Sequence, residues 1–371
     1  MRAGASSQAA GLGEGGARAE EQGGAPAQPE ADAPTQQLYM PAEWERHERT
    51  IMGWPCRLEL WGETVERARA DYAQVANAVA AFEPVTMIAN SGADAAAART
   101  ACGAGVEVVE LPLDDSWMRD CGPIYARRPD GRRCAVHFRF NAWGERFPPW
   151  DKDAAVGALV AKRLGDPVIE APLVLEGGSI YVDGAGTLLT TEQCLLNPNR
   201  NPELAREQIE EALRLYLGAD RVVWLGQGLV EDRDTDGHID LIAAFTDVDR
   251  VLLQMVDETN PNFERCIENR TRLEAAGIDA LELPFLPYTT VAGDRIAAGY
   301  MNYYLINGAV IVPVIGAETD DDAFAIIASA YPGREVVPVR GDVLAYGGGG
   351  PHCITQQVPT MFEEVVDDGD A

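Results

Sequence analysis

From residue 40 onward the chain alternates two spacings of apolar residues. Helical periodicity covers residues 64–82, 93–103, 153–164, 203–217, 262–276 and 320–330. Between these stretches lie short β-branched runs, which predict strands at Val85–Ala89, Val106–Leu111, Val168–Pro172, Val222–Leu225, Leu281–Pro284 and Val336–Val339. Most of these runs are followed by a polar loop and then a hairpin. Ser179–Val182 is expected to fold back on Thr187–Thr191 around Asp183-Gly184-Ala185-Gly186, and Tyr300–Ile306 on Ala309–Val314 around Asn307-Gly308. Asn-Gly predicts a type I′ turn, which puts both residues at positive φ.

The ends of five strands, Leu111, Pro172, Leu225, Pro284 and Val339, are 61, 53, 59 and 55 residues apart. A period near 57 without sequence identity predicts a repeated unit of strand, loop, hairpin and helix, arranged in a ring. Thr50–Trp54 is expected to pair with Ile354–Val358, completing a fifth hairpin and removing the open sheet edges. An open doubly wound sheet is the commoner outcome for alternating α and β elements. Against it, no G-x-G-x-x-G follows a strand, and the hairpins are too regular for purely parallel crossovers. The expected fold is α/β, a five-bladed pseudo-symmetric α/β-propeller.

Composition bounds the ends and the partners. Residues 1–37 are mostly Gly, Ala, Pro, Gln and Glu with a single Leu, too little apolar surface to order themselves, and read as a disordered leader. They lack the apolar stretch of a secretory signal. Residues 38–362 are expected to form one catalytic domain, and 363–371 an acidic tail. No run of about 18 apolar residues occurs, so no membrane span is expected. The formal charge is −29, of which only −3 lies in residues 1–37 and −5 in 363–371. That balance argues against nucleic acid and anionic membranes and favours a cationic or neutral small ligand. A homo-oligomer is compatible with it. The seven cysteines are scattered without a C-x-x-C pair, the usage of a reducing, cytoplasmic compartment.

Four loops carry unusual polar residues: 114–123 (DDSWMRDCGP), 175–179 (LEGGS), 231–240 (EDRDTDGHID) and 346–353 (YGGGGPHC). In a cyclic repeat, equivalent loops meet on one face. Cys353 follows four glycines, which let the backbone approach a ligand, and a thiol nucleophile needs an acid or base within reach. Of four histidines, His47, His137 and His352 stand in bland surroundings, the last with its side chain pointing away if the segment is a strand. His238 stands two residues before Asp240, so on a strand the two share a face. Asp120, Asp240 and Glu176 then surround a Cys/His pair. Such a surplus of carboxylates suits a planar guanidinium better than an oxyanion. No H-E-x-x-H, C-x-x-C or G-x-S-x-G occurs, so neither metal nor cofactor is expected. One competing pattern is a calcium loop over residues 232–243, whose carboxylates and Gly237 match nine positions. It fails at the twelfth, Ala243, and no helix is predicted before it.

With these motifs the chain resembles the agmatine deiminases, a branch of the guanidine-modifying superfamily related to bacterial peptidyl-arginine deiminase. The resemblance runs from Met40 to Pro359 through residues 40–55 (MPAEWERHERTIMGWP), 114–123, 175–202, 235–240 (TDGHID) and 347–359 (GGGGPHCITQQVP). It implies a pentein-like five-bladed propeller with Cys353 as nucleophile, His238 and Asp240 as its partners, Asp120 as the other guanidinium-binding carboxylate and Glu176 as the acid that orients the histidine. The implied substrate is a small guanidino cation, hydrolysed through an amidino-cysteine; a deiminase of peptidyl-arginine is the alternative. Trp117, Asp234 and Asp115 are expected to bind substrate, with one of the two acids taking the distal amine of agmatine. The chain departs from the family pattern at Pro351, before the nucleophile, and at Leu241, after the His/Asp motif.

Overall fold

Strand pairing follows one rule five times: an antiparallel pair, then a helix, then a strand parallel to the second member of the pair. The structure, a computed structural model, describes residue 34 and residues 37–361. The predicted leader (residues 1–37) falls almost wholly outside the described residues, as does the predicted acidic tail (residues 363–371). In chain order, β1 (His47–Gly53) runs parallel to β2 (Val85–Ala89) across the helix Val65–Ala80, and β3 (Val106–Glu110) extends that sheet. The hairpin β4 (Ile124–Arg127) and β5 (Arg133–Arg139) is joined by the helix Asp151–Leu164 to β6 (Val168–Val174). β7 (Tyr181–Val182), β8 (Thr187–Thr191) and β9 (Arg221–Leu225) repeat the pattern around the helix Arg206–Leu217. β10 (Ala243–Asp247), β11 (Arg250–Gln254) and β12 (Asp279–Leu283) repeat it around Phe263–Ala275. An extra hairpin, β13 (Tyr288–Val291) with β14 (Asp294–Ala297), interrupts the series and was not predicted. β15 (Tyr304–Ile306), β16 (Ala309–Val314) and β17 (Glu335–Arg340) close it around Asp320–Ala330.

The last strand, β18 (Thr355–Pro359), lies antiparallel to β1, so the first sheet is made from both ends of the described chain, as expected from Thr50–Trp54 and Ile354–Val358. The described elements thus form a mixed α/β fold of five similarly paired sheets.

Burial explains why these residues take these roles. The second strands β8, β11 and β16 are almost wholly buried, and β16 reads as a continuous apolar run, Ala309-Val310-Ile311-Val312. Each third strand, such as β12 and β17, is an edge and alternates with exposed charges. The helices bury one stripe, Ala68, Tyr72, Val75, Ala76 and Val79 in the first, at the i, i+4, i+7 spacing of an amphipathic helix. One turn differs from expectation. Only Gly308 of the Asn307-Gly308 pair has positive φ (78°). The Asn307 side chain instead brackets the His47 backbone, accepting from its N–H at 3.0 Å and donating to its carbonyl at 2.9 Å. No described helix is long and apolar enough to cross a membrane.

Candidate active site

The chain leaves the third strand of each sheet through a connection that dips into one common site. The segment after β3 supplies Asp115, Trp117 and Asp120, the last on the short helix Met118–Cys121. The segment after β6 supplies Glu176, and that after β9 supplies Asp234, His238 and Asp240. The connection after β17 brings His352 and Cys353. Sequence reasoning missed the fifth contribution, Asn302, after the extra hairpin; it is 1% exposed. Its Oδ1 accepts the Cys353 N–H at 3.2 Å, and its backbone carbonyl accepts the His352 N–H at 3.1 Å.

Cys353, His238, Asp120, Asp240 and Glu176 are all buried, and the structure brings them together. The Cys353 thiol donates to Asp240 Oδ2 at 3.2 Å. His238 lies between two acids, Nδ1 3.9 Å from Asp120 Oδ1 and Nε2 3.7 Å from Glu176 Oε2. Gly178 is the floor of this arrangement. A Cβ there would fall 2.6 Å from His238 Nδ1, 2.9 Å from Asp120 Oδ1 and 3.0 Å from Asp240 Oδ2, so only glycine leaves those three atoms a shared space. The glycine run before Cys353 serves a similar close approach: a Cβ at Gly349 would sit 2.7 Å from the Cys353 sulfur and 2.9 Å from Trp117.

His238 and Asp240 do not share a strand, contrary to the sequence expectation. Residues 239–241 form a 3-10 turn, because the Asp232 carboxylate gathers the N–H groups of Thr235 (3.0 Å), Gly237 (2.7 Å) and His238 (3.2 Å) and bends the chain. This also disposes of the calcium reading. Asp232 is spent on backbone N–H groups, Asp236 pairs with Arg146 and Arg200, and Asp240 accepts the Cys353 thiol. Ala243 opens β10.

Electrostatics divide the carboxylates. Burial pushes Glu176 up, but the nearby His238 and the Arg200 guanidinium, 2.6 Å from its Oε1, bring it below the usual range. Burial likewise opposes ionisation of Asp240, and His352 beyond it pulls it low. Asp120 stays high: burial raises it and the neighbouring Asp240 and Glu176 add to that, against His238 and the Trp143 indole N–H (2.9 Å). Burial lowers His238, yet Asp120 and its other neighbours carry it well above an ordinary imidazole. Burial, Asp240 and Asp120 all raise the Cys353 thiol.

Several participants had no usable sequence signal. Trp143 stands in a left-handed turn with Ala142 (φ 51°), its own φ at 56° and Glu145 (φ 64°), a strained conformation that aims its indole at Asp120. Arg200 is fully buried between Glu176 and Asp236. Cys194 lies 3.9 Å from Glu176 Oε2, and the donor atoms of Glu176, Cys194 and His238 all fall within 4.8 Å of one another. The set could be read as metal ligands, but the Arg200 guanidinium already supplies the cation that neutralises Glu176. His352, read from the sequence as turned away, is instead buried beside the thiol. Its Nδ1 meets Asp240 Oδ2 and its Nε2 meets Glu43 Oε2, each at 2.9 Å. It precedes β18 in a turn, so the strand alternation assumed for it does not apply.

Trp117, Trp143, Phe147, Asp115, Asp120 and Asp234 line the cavity in front of Cys353. Asp115 already has a cation, Arg57 Nε at 3.2 Å. The Asp234 side chain is half-buried and makes no ion pair or hydrogen bond among the described residues; it also borders a neighbouring cavity of about 600 Å³ that Leu241 and Asn302 help to line.

A thiol, an imidazole and three carboxylates are thus delivered to one place by the connections that follow repeated α/β units. The chain belongs to the Porphyromonas-type peptidyl-arginine deiminase family, whose model matches residues 39–359. It is 39% identical over 357 residues to the agmatine deiminase of Stutzerimonas stutzeri, covering 87% of this chain and 96% of that one. The solved agmatine deiminase of Enterococcus faecalis superposes with a TM-score of 0.83 at 32% identity, over 87% of this chain and 96% of the other. A Cys-to-Ser variant of Campylobacter jejuni agmatine deiminase, solved with substrate bound, gives 0.82 at 29% identity over 88% and 98%.

Proposed function

We propose that this protein is an agmatine deiminase, converting agmatine and water to N-carbamoylputrescine and ammonia. The observation that carries this reading is a set of buried atoms without a partner among the described residues: Asp240 Oδ1 and both ring nitrogens of His238, on the residues grouped with the Cys353 thiol. A guanidinium presents N–H groups to the carboxylates and an electrophilic carbon to the thiol.

Asp240 and Asp120 hold the guanidinium nitrogens. Arrival of the cation offsets the negative field that keeps the thiol protonated, so the substrate itself promotes the thiolate, and the thiol proton leaves to solvent. Cys353 sulfur attacks the guanidinium carbon, and the protonated His238 gives its proton to the departing ammonia. Neutral His238 then takes a proton from water as the hydroxide adds to the amidino carbon; the C–S bond breaks, the hydroxyl proton returns to the Cys353 sulfur and the ureido product leaves. Glu176, fixed by Arg200, orients the imidazole. Trp117, with Trp143 and Phe147, flanks the methylene chain, and Asp234 receives the distal amine, Asp115 being already paired with Arg57.

The same reading makes the five sheets the blades of a closed ring, with β1 and β18 as the seam, a catalytic domain over residues 38–362, and a cytoplasmic setting. Mass spectrometry after an agmatine pulse tests it: an amidino adduct should appear on Cys353 of the wild-type enzyme, and His238→Asn should trap or abolish it. Absence of the adduct together with full activity of Cys353→Ser would overturn the mechanism. Rates on agmatine, arginine and a blocked arginine peptide test the substrate, and a faster peptide reaction would make this a peptidyl-arginine deiminase.

A further inference from the structure

A second buried charge chain adjoins the site. Glu43, from the segment before β1, accepts His352 Nε2–H at 2.9 Å on Oε2 and the Leu305 N–H at 3.0 Å on Oε1; Arg119 Nη2 approaches the same Oε2 at 3.3 Å. His352 Nδ1 then reaches Asp240 Oδ2 at 2.9 Å, the oxygen that also accepts the Cys353 thiol. The imidazole is clamped: Tyr181 stacks on it with ring centres 5.6 Å apart and planes 16° apart, and Asn302 accepts its backbone N–H. Asp240 Oδ2 is therefore saturated while Asp240 Oδ1 is buried without a partner among the described residues.

We infer that His352 is a positioning residue for the reaction: the Glu43–His352–Asp240 relay fixes the Asp240 carboxylate as an anion and turns its Oδ1 toward the substrate guanidinium. An ion pair is the protonation state that this geometry favours, because both ring nitrogens face carboxylate oxygens at hydrogen-bond distance and each must donate. The other charged or titratable groups facing the imidazole are Arg119, which opposes its charge, and the phenols of Tyr181 and Tyr304. His238 and Asp120 are further charged groups near Asp240. Burial pushes the His352 imidazole down and Arg119 does the same, but Glu43 and Asp240 hold it above the ordinary value.

The inference rests on Asp240 binding the guanidinium, and the test separates the two. Asp240→Asn is expected to lose activity; if it does not, the reading of Asp240 fails. The relay is tested with His352→Asn, which keeps a donor without the charge, His352→Leu, which keeps neither, and Glu43→Gln, one residue further from the reacting atoms. The readout is the acid limb of kcat/KM against pH for agmatine, which reports groups of the free enzyme. Without the imidazolium, Asp240 titrates higher and joins Asp120, so the limb should move up by about one unit or more and steepen. The order of shifts should be His352→Leu, then His352→Asn, then Glu43→Gln. A purely structural role would lower the rate at every pH and leave the limb in place. An unmoved limb in His352→Asn and Glu43→Gln, with Asp240→Asn inactive, would overturn the relay.

Discussion

Two histidines stand on either side of Asp240, equally buried and each between carboxylates, yet they differ in every contact that matters. His352 has both ring nitrogens bonded at 2.9 Å and its ring stacked. His238 has neither nitrogen bonded, its acids standing off at 3.7 and 3.9 Å. A buried polar group without a partner is costly, commonly about 1–3 kcal/mol. On the proposed reading, the satisfied region is a support and the unsatisfied region is where a guanidinium completes the bonding. This contrast separates scaffold from chemistry where sequence position could not.

The contrast can be broken at several points. Cys353→Ser and His238→Asn should each lower kcat about a thousandfold or more while leaving the circular dichroism spectrum unchanged, because they remove the proposed nucleophile and proton carrier. Survival of turnover in His238→Asn would erase the distinction between the two histidines. Arg200→Leu leaves Glu176 buried without its cation and should cost about 3–5 kcal/mol in denaturant unfolding. A loss under about 1 kcal/mol would mean that Glu176 is neutral and that His238 carries less charge than argued.

Gly178→Ala should fold, with a Cβ wedged among His238, Asp120 and Asp240, and lose about a hundredfold or more in kcat/KM. Wild-type kinetics there would show that the loop yields and that the open space is not fixed. The smallest effect lies on the satisfied side. Burial opposes ionisation of Glu43, but His352 and Arg119 hold its carboxyl down to about 2 from an ordinary 4.5. Its contribution to stability is therefore fully present above about pH 4.5 and lost as pH falls through about 2. The Tm difference between wild type and Glu43→Gln should shrink steadily over that interval; a constant difference would mean that Glu43 is not ionised in the fold.

Much of the fold was legible because it is written in local periodicity. Val85–Ala89 and the helix at 320–330 fall where the apolar spacing put them, and β1 pairs with β18 as expected of Thr50–Trp54 and Ile354–Val358. The extra hairpin at 288–297 escaped because its strands are short and partly exposed, without the apolar runs that mark the others. In the site, Cys353, His238, Asp120, Asp240 and Glu176 were legible as rare chemical groups in polar loops. His352 was misjudged because its surroundings were inferred from strand alternation, whereas the chain turns there and delivers it between Glu43 and Asp240.

The sequence by itself determined the alternating elements, the repeat near 57 residues and the identity of the groups able to react, since spacing and residue type are local properties. Only the tertiary structure decided which groups are satisfied. Glu43 and His352 are 309 residues apart, His352 and Asp240 112, Arg200 and Glu176 24. Ion pairing and hydrogen bonding depend on distance in space and on exclusion of water, and neither quantity is encoded along the chain.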